Sequence, residues 1–204
     1  MPAGSSLAPA TATRDFIFVR HGETDWNREK RIQGSKGAPM NPAGHEQSKG
    51  LARSLWEVPI QAVYSSAMPR AVETASYVAG PHRVNVAIDP RLNEIHHGEW
   101  EGLAESDLPD LALYRKWRED PTAVTLPGAE PLAAVHERAL AAMRDIAAKH
   151  PASEGLVAVV SHQIVLALLK CHVLDRPWSQ IRRLALGVAS YEVLTTGEGF
   201  APRP

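Results

Sequence analysis

The residues best equipped for chemistry in this chain are Arg20 and His21, which open the stretch Arg20-His21-Gly22-Glu23-Thr24 directly after Phe16-Ile17-Phe18-Val19. An apolar run bounded by polar residues reads as a strand buried on both faces, as in a parallel sheet. Ligands of open α/β sheets gather beyond the carboxyl ends of such strands, where Arg20 and His21 stand. Gly22 removes side-chain bulk beside the histidine and lets a substrate or a second loop approach the backbone. The arrangement recurs in Val157-Ala158-Val159-Val160-Ser161-His162, again an apolar strand, a polar residue and a histidine at the start of a helix. The N–H groups and dipole of a helix N-terminus favour a phosphate there. Ala62-Val63-Tyr64-Ser65-Ser66 ends a third strand and leads to Arg70 at the next helix start. These strand ends are expected to converge Arg20, His21, Arg70 and His162 on one pocket. Guanidiniums with planar donor forks suit the non-bridging oxygens of a phosphoryl group, and a histidine among them is a nucleophile or a proton carrier.

Hydrophobic periodicity outlines the scaffold that must hold these residues. Strand-like runs fall at residues 16–19, 62–64, 84–88, 156–160 and 189–194. The spacing predicts a helix over 44–56, with Leu51, Leu55 and Trp56 on one side, and another over 71–79 behind Pro69 as a first-turn residue. Over 131–150, Leu132, Val135, Ala139, Met143 and Ile146 recur three or four apart, the mark of an amphipathic helix. Residues 164–174 are apolar on most sides, hence a buried helix, and Pro177 ends the segment. Strands alternating with helices predict an α/β domain around a mainly parallel sheet. The stretch 103–128, broken by Pro109, Pro121 and Pro127, reads either as an insertion covering the site or as a surface excursion with a short helix at 111–117. Arg182-Arg183 falls in an expected surface helix.

Composition narrows the class. The 204 residues suit a single domain over 14–204 behind a disordered leader, 1–13. With 22 basic against 23 acidic residues and no basic stripe, nucleic acid is not the expected partner. No run approaches the roughly 18 apolar residues of a membrane span. Residues 1–10 lack the basic and apolar regions of an export signal. The one cysteine, Cys171, cannot form an internal disulfide and reads as a small buried hydrophobe. A cytoplasmic location is the expectation. His96 and His97 are adjacent, point different ways on most backbones and have no neighbours at ligand spacing, so they do not read as a metal pair. Trp100 reads as core or pocket wall.

Five motif segments then occur in order: Arg20-His21-Gly22-Glu23-Thr24 with Asn27; Gln33-Gly34; Ser65-Ser66 with Arg70-Ala71 and Thr74-Ala75; Leu92-Asn93-Glu94 with Gly98-Glu99-Trp100-Glu101-Gly102; and Ser161-His162. Singly each is weak, but the ordered set, covering roughly residues 15–195, resembles the histidine phosphatase superfamily, the phosphoglycerate mutase-like enzymes. The resemblance implies a three-layer sandwich and a two-step phosphoryl transfer. His21 would attack phosphorus and carry it as a phosphohistidine, while Arg20, Arg70 and His162 hold the equatorial oxygens. Losing one such donor costs about 10²–10³ in rate. Glu94 would protonate the leaving oxygen and then take a proton from the attacking water. His21 must be neutral to attack, so a partner should fix its tautomer. Neither a metal nor another cofactor is implied, since the arginines and His162 supply the electrostatics. Asn27, Gln33 and Gly34 border the phosphate or substrate, or else structure their loop. Gln163 stands where a glycine commonly follows the second histidine, which alters pocket shape, and Gly128-Ala129-Glu130 replaces a common Gly-Gly-Glu.

Within the superfamily, the cofactor-dependent mutases carry a longer segment after the Glu motif, with a paired arginine that binds substrate. Here 103–130 is short, its basic residues are Arg115, Lys116 and Arg118, and no two arginines adjoin. The expectation is a metal-independent phosphomonoester hydrolase acting on a small phosphorylated metabolite. A 2,3-bisphosphoglycerate-dependent phosphoglycerate mutase is the same-fold alternative. A catalytically silent phospho-ligand-binding module is the non-enzyme alternative, although the nucleophile, the arginines and the acid are all present. Substrate identity and oligomeric state are not legible.

Overall fold

The structure, a computed structural model, describes residues 13–203. All but the last residue of the leader expected over 1–13 lies outside the described residues. Strand β1 (Arg14–Arg20) buries Phe16 and Phe18 on one face and Ile17 and Val19 on the other, each without exposed surface. The apolar run is continuous because both faces of the sheet are covered. The other strands are β2 (Ile60–Ser65), β3 (Val86–Ile88), β4 (Leu156–Ser161) and β5 (Tyr191–Thr196). Their order is β3-β2-β4-β1-β5, with β5 antiparallel to β1 at the edge and every other pairing parallel.

The helices are α1 (Asp25–Arg28), α2 (Pro42–Ser54), α3 (Pro69–His82), α4 (Leu111–Glu119), α5 (Leu132–Lys149), α6 (Gln163–Val173) and α7 (Ile181–Leu184). Helices α2 and α3 pack Leu51, Leu55, Ala71, Ala75 and Val78 onto the face of Ile17, Val19, Val63 and Val160. Helices α5 and α6 pack Val135, Met143, Ile146, Leu166 and Leu169 onto the face of Phe16, Phe18 and Val159. The result is a three-layer α/β sandwich. Cys171 and Trp100 are buried in this second core.

Local differences from the sequence expectations have physical causes. Helix α2 ends at Ser54, so helical spacing no longer carries Trp56 inward, and it is 66% exposed while Leu55 is fully buried. Helix α3 runs on to His82, and Arg83 turns the chain in the left-handed region at φ 56°, which delays β3 to Val86. Ala189 has φ 47° and gives its N–H to the His21 carbonyl, so β5 starts later than the apolar run.

Register is what assembles the site. Arg20 on β1 lies opposite Ser161 on β4, and Ser65 on β2 opposite Val160. His21 and His162 therefore leave adjacent strands side by side, with their rings 5.1 Å apart.

Candidate active site

His21 is almost entirely buried, and its environment selects one tautomer. Its Nδ1 lies 2.8 Å from the Gly22 carbonyl oxygen. A carbonyl only accepts, so the proton sits on Nδ1 and the Nε2 lone pair is left for attack. Arg70 Nε–H donates to that Nε2 across 3.3 Å, consistent with the same tautomer. Burial, then Arg70 and Arg20, push the His21 pKa well below the usual histidine value, so the ring is neutral at neutral pH. The loop itself is fixed from α3: Gly22 N–H donates to Thr74 Oγ1 at 2.9 Å, and Thr74 in turn bonds the Arg70 carbonyl at 2.8 Å. A side chain at Gly22 would press on Met40 Sδ and the Gly44 carbonyl at 2.6 and 2.7 Å.

The cations are held by their backbones' neighbours and keep donors to spare. Arg20 Nη1–H donates to the Leu186 carbonyl at 2.7 Å, and Arg70 Nη2–H to the Gly34 carbonyl at 2.9 Å. Arg20 Nε and Arg70 Nη1 are buried without a partner among the described residues. Burial lowers the pKa of Arg70 to about 10, which leaves it charged at neutral pH. His162, at the N-terminus of α6, is fully buried and is not among the side chains walling the cavity. Its Nε2 lies 2.7 Å from Ser66 Oγ, which also accepts the Met68 N–H at 3.3 Å. When the Ser66 hydroxyl donates to Nε2, His162 carries its own proton on Nδ1. That Nδ1 has no partner among the described residues and is a donor in waiting. Burial and Arg70 hold His162 neutral, well below the usual value.

Arg20, His21, Arg70 and Glu94 line one cavity of about 360 Å³. Glu94 is oriented by two backbone donors, Ile95 N–H to Oε1 at 3.0 Å and Ile164 N–H to Oε2 at 3.3 Å. Asn27, Gln33, Gly34 and Gln163 also line the cavity. Asn27 is structurally committed on one side: its Oδ1 accepts the Thr24 N–H and hydroxyl, both at 3.1 Å, in a capping box for α1. Gly34 needs its left-handed φ of 52°, and a Cβ there would collide with the Glu101 carboxylate. Gln33 Oε1 is buried without a partner among the described residues. Helix α4 adds Tyr114, Trp117 and Arg118 to the cavity lining, and Glu105 also lines it.

Sequence reasoning missed several of these supports. Arg138 of α5 clamps the Glu94 loop, donating to the carbonyls of Arg91 (2.7 Å), Asn93 (2.6 Å) and Glu94 (3.3 Å) while pairing with Glu130. Glu101, though a motif residue, accepts from Ser35 N–H at 2.6 Å and His97 N–H at 2.9 Å, tying the Gly34 loop to the Glu94 loop. One expectation is corrected outright: Arg182 does not face away on a surface helix but lines the cavity, its guanidinium 4.4 Å from the centre of the Trp117 ring. Arg183 beside it is exposed. The helix α7 is only a single turn, too short for a hydrophobic pattern to reveal which side faces the core. Among the described residues no cluster of His, Cys, Asp and Glu could hold a metal ion, and no helix is long and apolar enough to cross a membrane.

Comparison with known proteins finds relatives over most of the chain. A phosphoserine phosphatase of Hydrogenobacter thermophilus is 31% identical over 88% of this chain and 85% of its own. A probable phosphoglycerate mutase of Serratia proteamaculans is 35% identical over 83% of this chain and 79% of its own. The solved structure of a mycobacterial glucosyl-3-phosphoglycerate phosphatase superposes with a TM-score of 0.80 at 28% identity, covering 90% of this chain and 91% of that one. The profile of the histidine phosphatase superfamily (branch 1) matches residues 16–201, and the chain belongs to that family.

Proposed function

We propose that this chain is a metal-independent phosphomonoester hydrolase acting on a small phosphorylated metabolite. The observation that carries the reading is the neutral, tautomer-fixed His21, whose unprotonated Nε2 faces the Arg70 Nε–H in a cavity also lined by Arg20. In the first step Nε2 attacks phosphorus, the bond from phosphorus to the ester oxygen breaks, and Glu94 gives that oxygen a proton. In the second step water attacks the phosphohistidine and the P–N bond breaks. Glu94 takes the water proton, and phosphate leaves. Arg20 and Arg70 hold the equatorial oxygens throughout, the Arg70 Nε–H turning from His21 to one of them; His162, buried beside His21 with the rings 5.1 Å apart, gives its Nδ1–H to a third once its ring shifts into the cavity. Asn27 Nδ2, Gln33 and Gln163 border the ester's remaining groups, and the segment 103–128 serves as a cap over the single domain. The lone buried Cys171 fits a cytoplasmic setting.

The test is release of phosphate from p-nitrophenyl phosphate with EDTA present. His21→Ala is expected to lose at least about 10³-fold in kcat/KM, and equal activity in both proteins would sink the proposal. The extra cations of the cavity, Arg182 among them, keep the mutase reading in play. Conversion of 3-phosphoglycerate to 2-phosphoglycerate outpacing phosphate release would select it.

A further inference from the structure

The cavity holds more positive charge than a phosphoryl group requires. Six cationic side chains line it against the carboxylates of Glu94 and Glu105. Of the four outer ones, Arg31 bonds Glu29 and the Gly102 carbonyl, Arg118 leans on Tyr114, and Lys30 is exposed to solvent. Arg182 is different. Its Nε and Nη2 are both buried with no partner among the described residues. Two desolvated guanidinium N–H groups without acceptors are costly, and a side chain kept only for stacking on Trp117 would not need them. Among the guanidiniums of this cavity the same condition marks Arg20 and Arg70, the donors of the phosphoryl end; Gln33 Oε1 and His97 Nδ1 are also buried there without a partner among the described residues.

We propose that Arg182 binds a second anionic group of the substrate, a carboxylate, so that the preferred substrates are phosphorylated acids rather than neutral phosphate esters. The inference rests on the hydrolase reading above. Nε and Nη2 lie on the same side of a guanidinium and form its side-on fork, whose parallel donors match the two oxygens of a carboxylate. A second phosphoryl group would leave an oxygen over.

The platform is rigid enough to aim that fork. Trp117 is buried, stacks at 16° with Tyr114 at 6.2 Å, and takes the His97 edge at 4.8 Å. The Arg182 guanidinium lies over the Trp117 ring, 4.4 Å from its centre. Burial and Arg118 lower the Arg182 pKa to about 10, leaving it charged at neutral pH. Arg182 lines the same cavity of about 360 Å³ as Arg20, His21, Arg70 and Glu94, so both ends face one space of small-molecule size.

The experiment compares phosphate release from 3-phosphoglycerate and glycerol 3-phosphate, which differ only in a carboxylate against a hydroxymethyl group. The wild-type protein is expected to favour 3-phosphoglycerate in kcat/KM by about 10- to 100-fold, the worth of hydrogen bonds to a charged group, and mainly through KM. Arg182→Met is expected to bring that ratio close to unity. Arg182→Lys, which keeps charge and stacking but not the fork, retains part of it. Because the readout is a ratio, a smaller folded fraction in a variant cancels. A wild-type ratio near unity, or a ratio that Arg182→Met leaves unchanged, overturns the proposal. Release from neither ester nor from p-nitrophenyl phosphate would instead overturn the hydrolase reading. Calorimetric binding of the two esters to wild type and Arg182→Met then decides the role of Arg182, and equal affinities reject it.

Discussion

His21 owes its reactivity to what its neighbours forbid. The Gly22 carbonyl accepts from Nδ1 and two guanidiniums lie close by, so a second proton on the ring is opposed by both burial and charge. The His21 imidazole resonance is therefore expected to stay unshifted in an NMR titration from pH 7.5 to 5.5. A midpoint near 6.5 would contradict the structure. Gly34 acts through Arg70: its carbonyl anchors the guanidinium, and its left-handed backbone lies against Glu101. Gly34→Ala forces a side chain into that carboxylate and moves the anchor, and kcat/KM should fall by about 10²-fold, the scale of a small misplacement. An unchanged value would show the anchor to be dispensable. Arg20, His21 and His162 were legible because each stands at the end of an apolar run, where type and position both speak, whereas Glu94 was legible only through its motif. Their partners were not. The Arg138 to Glu94 contact spans 44 residues, and the Gly22 carbonyl has no side chain to signal it.

At the scale of elements, the strand ends present His21 and His162 by register alone, whereas Glu94 sits on an irregular stretch that needs external ties. Ser161 Oγ–H holds the Leu92 carbonyl at 2.7 Å, the Ala67 N–H holds Asn93 at 2.8 Å, and Arg138 grips the carbonyls of Arg91, Asn93 and Glu94. Arg138 is thus a positioning residue for the proposed acid. Arg138→Met is expected to lower kcat by about 10²-fold with a smaller change in KM, and Arg138→Lys to restore part of it. In a Glu94→Gln background the same Arg138→Met change should cost little further, because the two act as a unit. Additive losses would mean that Arg138 serves the fold and not Glu94. Helices and strands themselves were readable because the sheet is covered on both faces and the long helices α5 and α6 are regular. The reading failed at Trp56, Arg182 and the start of β5, all at helix ends, single turns or left-handed residues, where periodicity carries no information.

Across the whole molecule, the site's chemistry leaves a mark on stability. His21, His97 and His162 are all buried and all held below the ordinary histidine value, chiefly by burial. Unfolding releases them to titrate normally, so below about pH 6.5 the unfolded chain binds protons that the native one refuses. Their contribution is fully present above pH 6.5 and declines as the pH falls, for His97 until its folded pKa of about 4 is reached. At pH 5 the loss from His97 alone is about 2 kcal/mol. Denaturant unfolding at pH 7.5 and 5.0 should therefore show a marked fall in stability for the wild-type protein. His97→Phe keeps an aromatic edge against Trp117, and His97 Nδ1 has no partner to lose. That variant is expected to lose about 2 kcal/mol less between the two pH values. The same pH-dependent loss in both proteins would mean that His97 is not held neutral, and that the shelf beneath Arg182 carries a charge of its own.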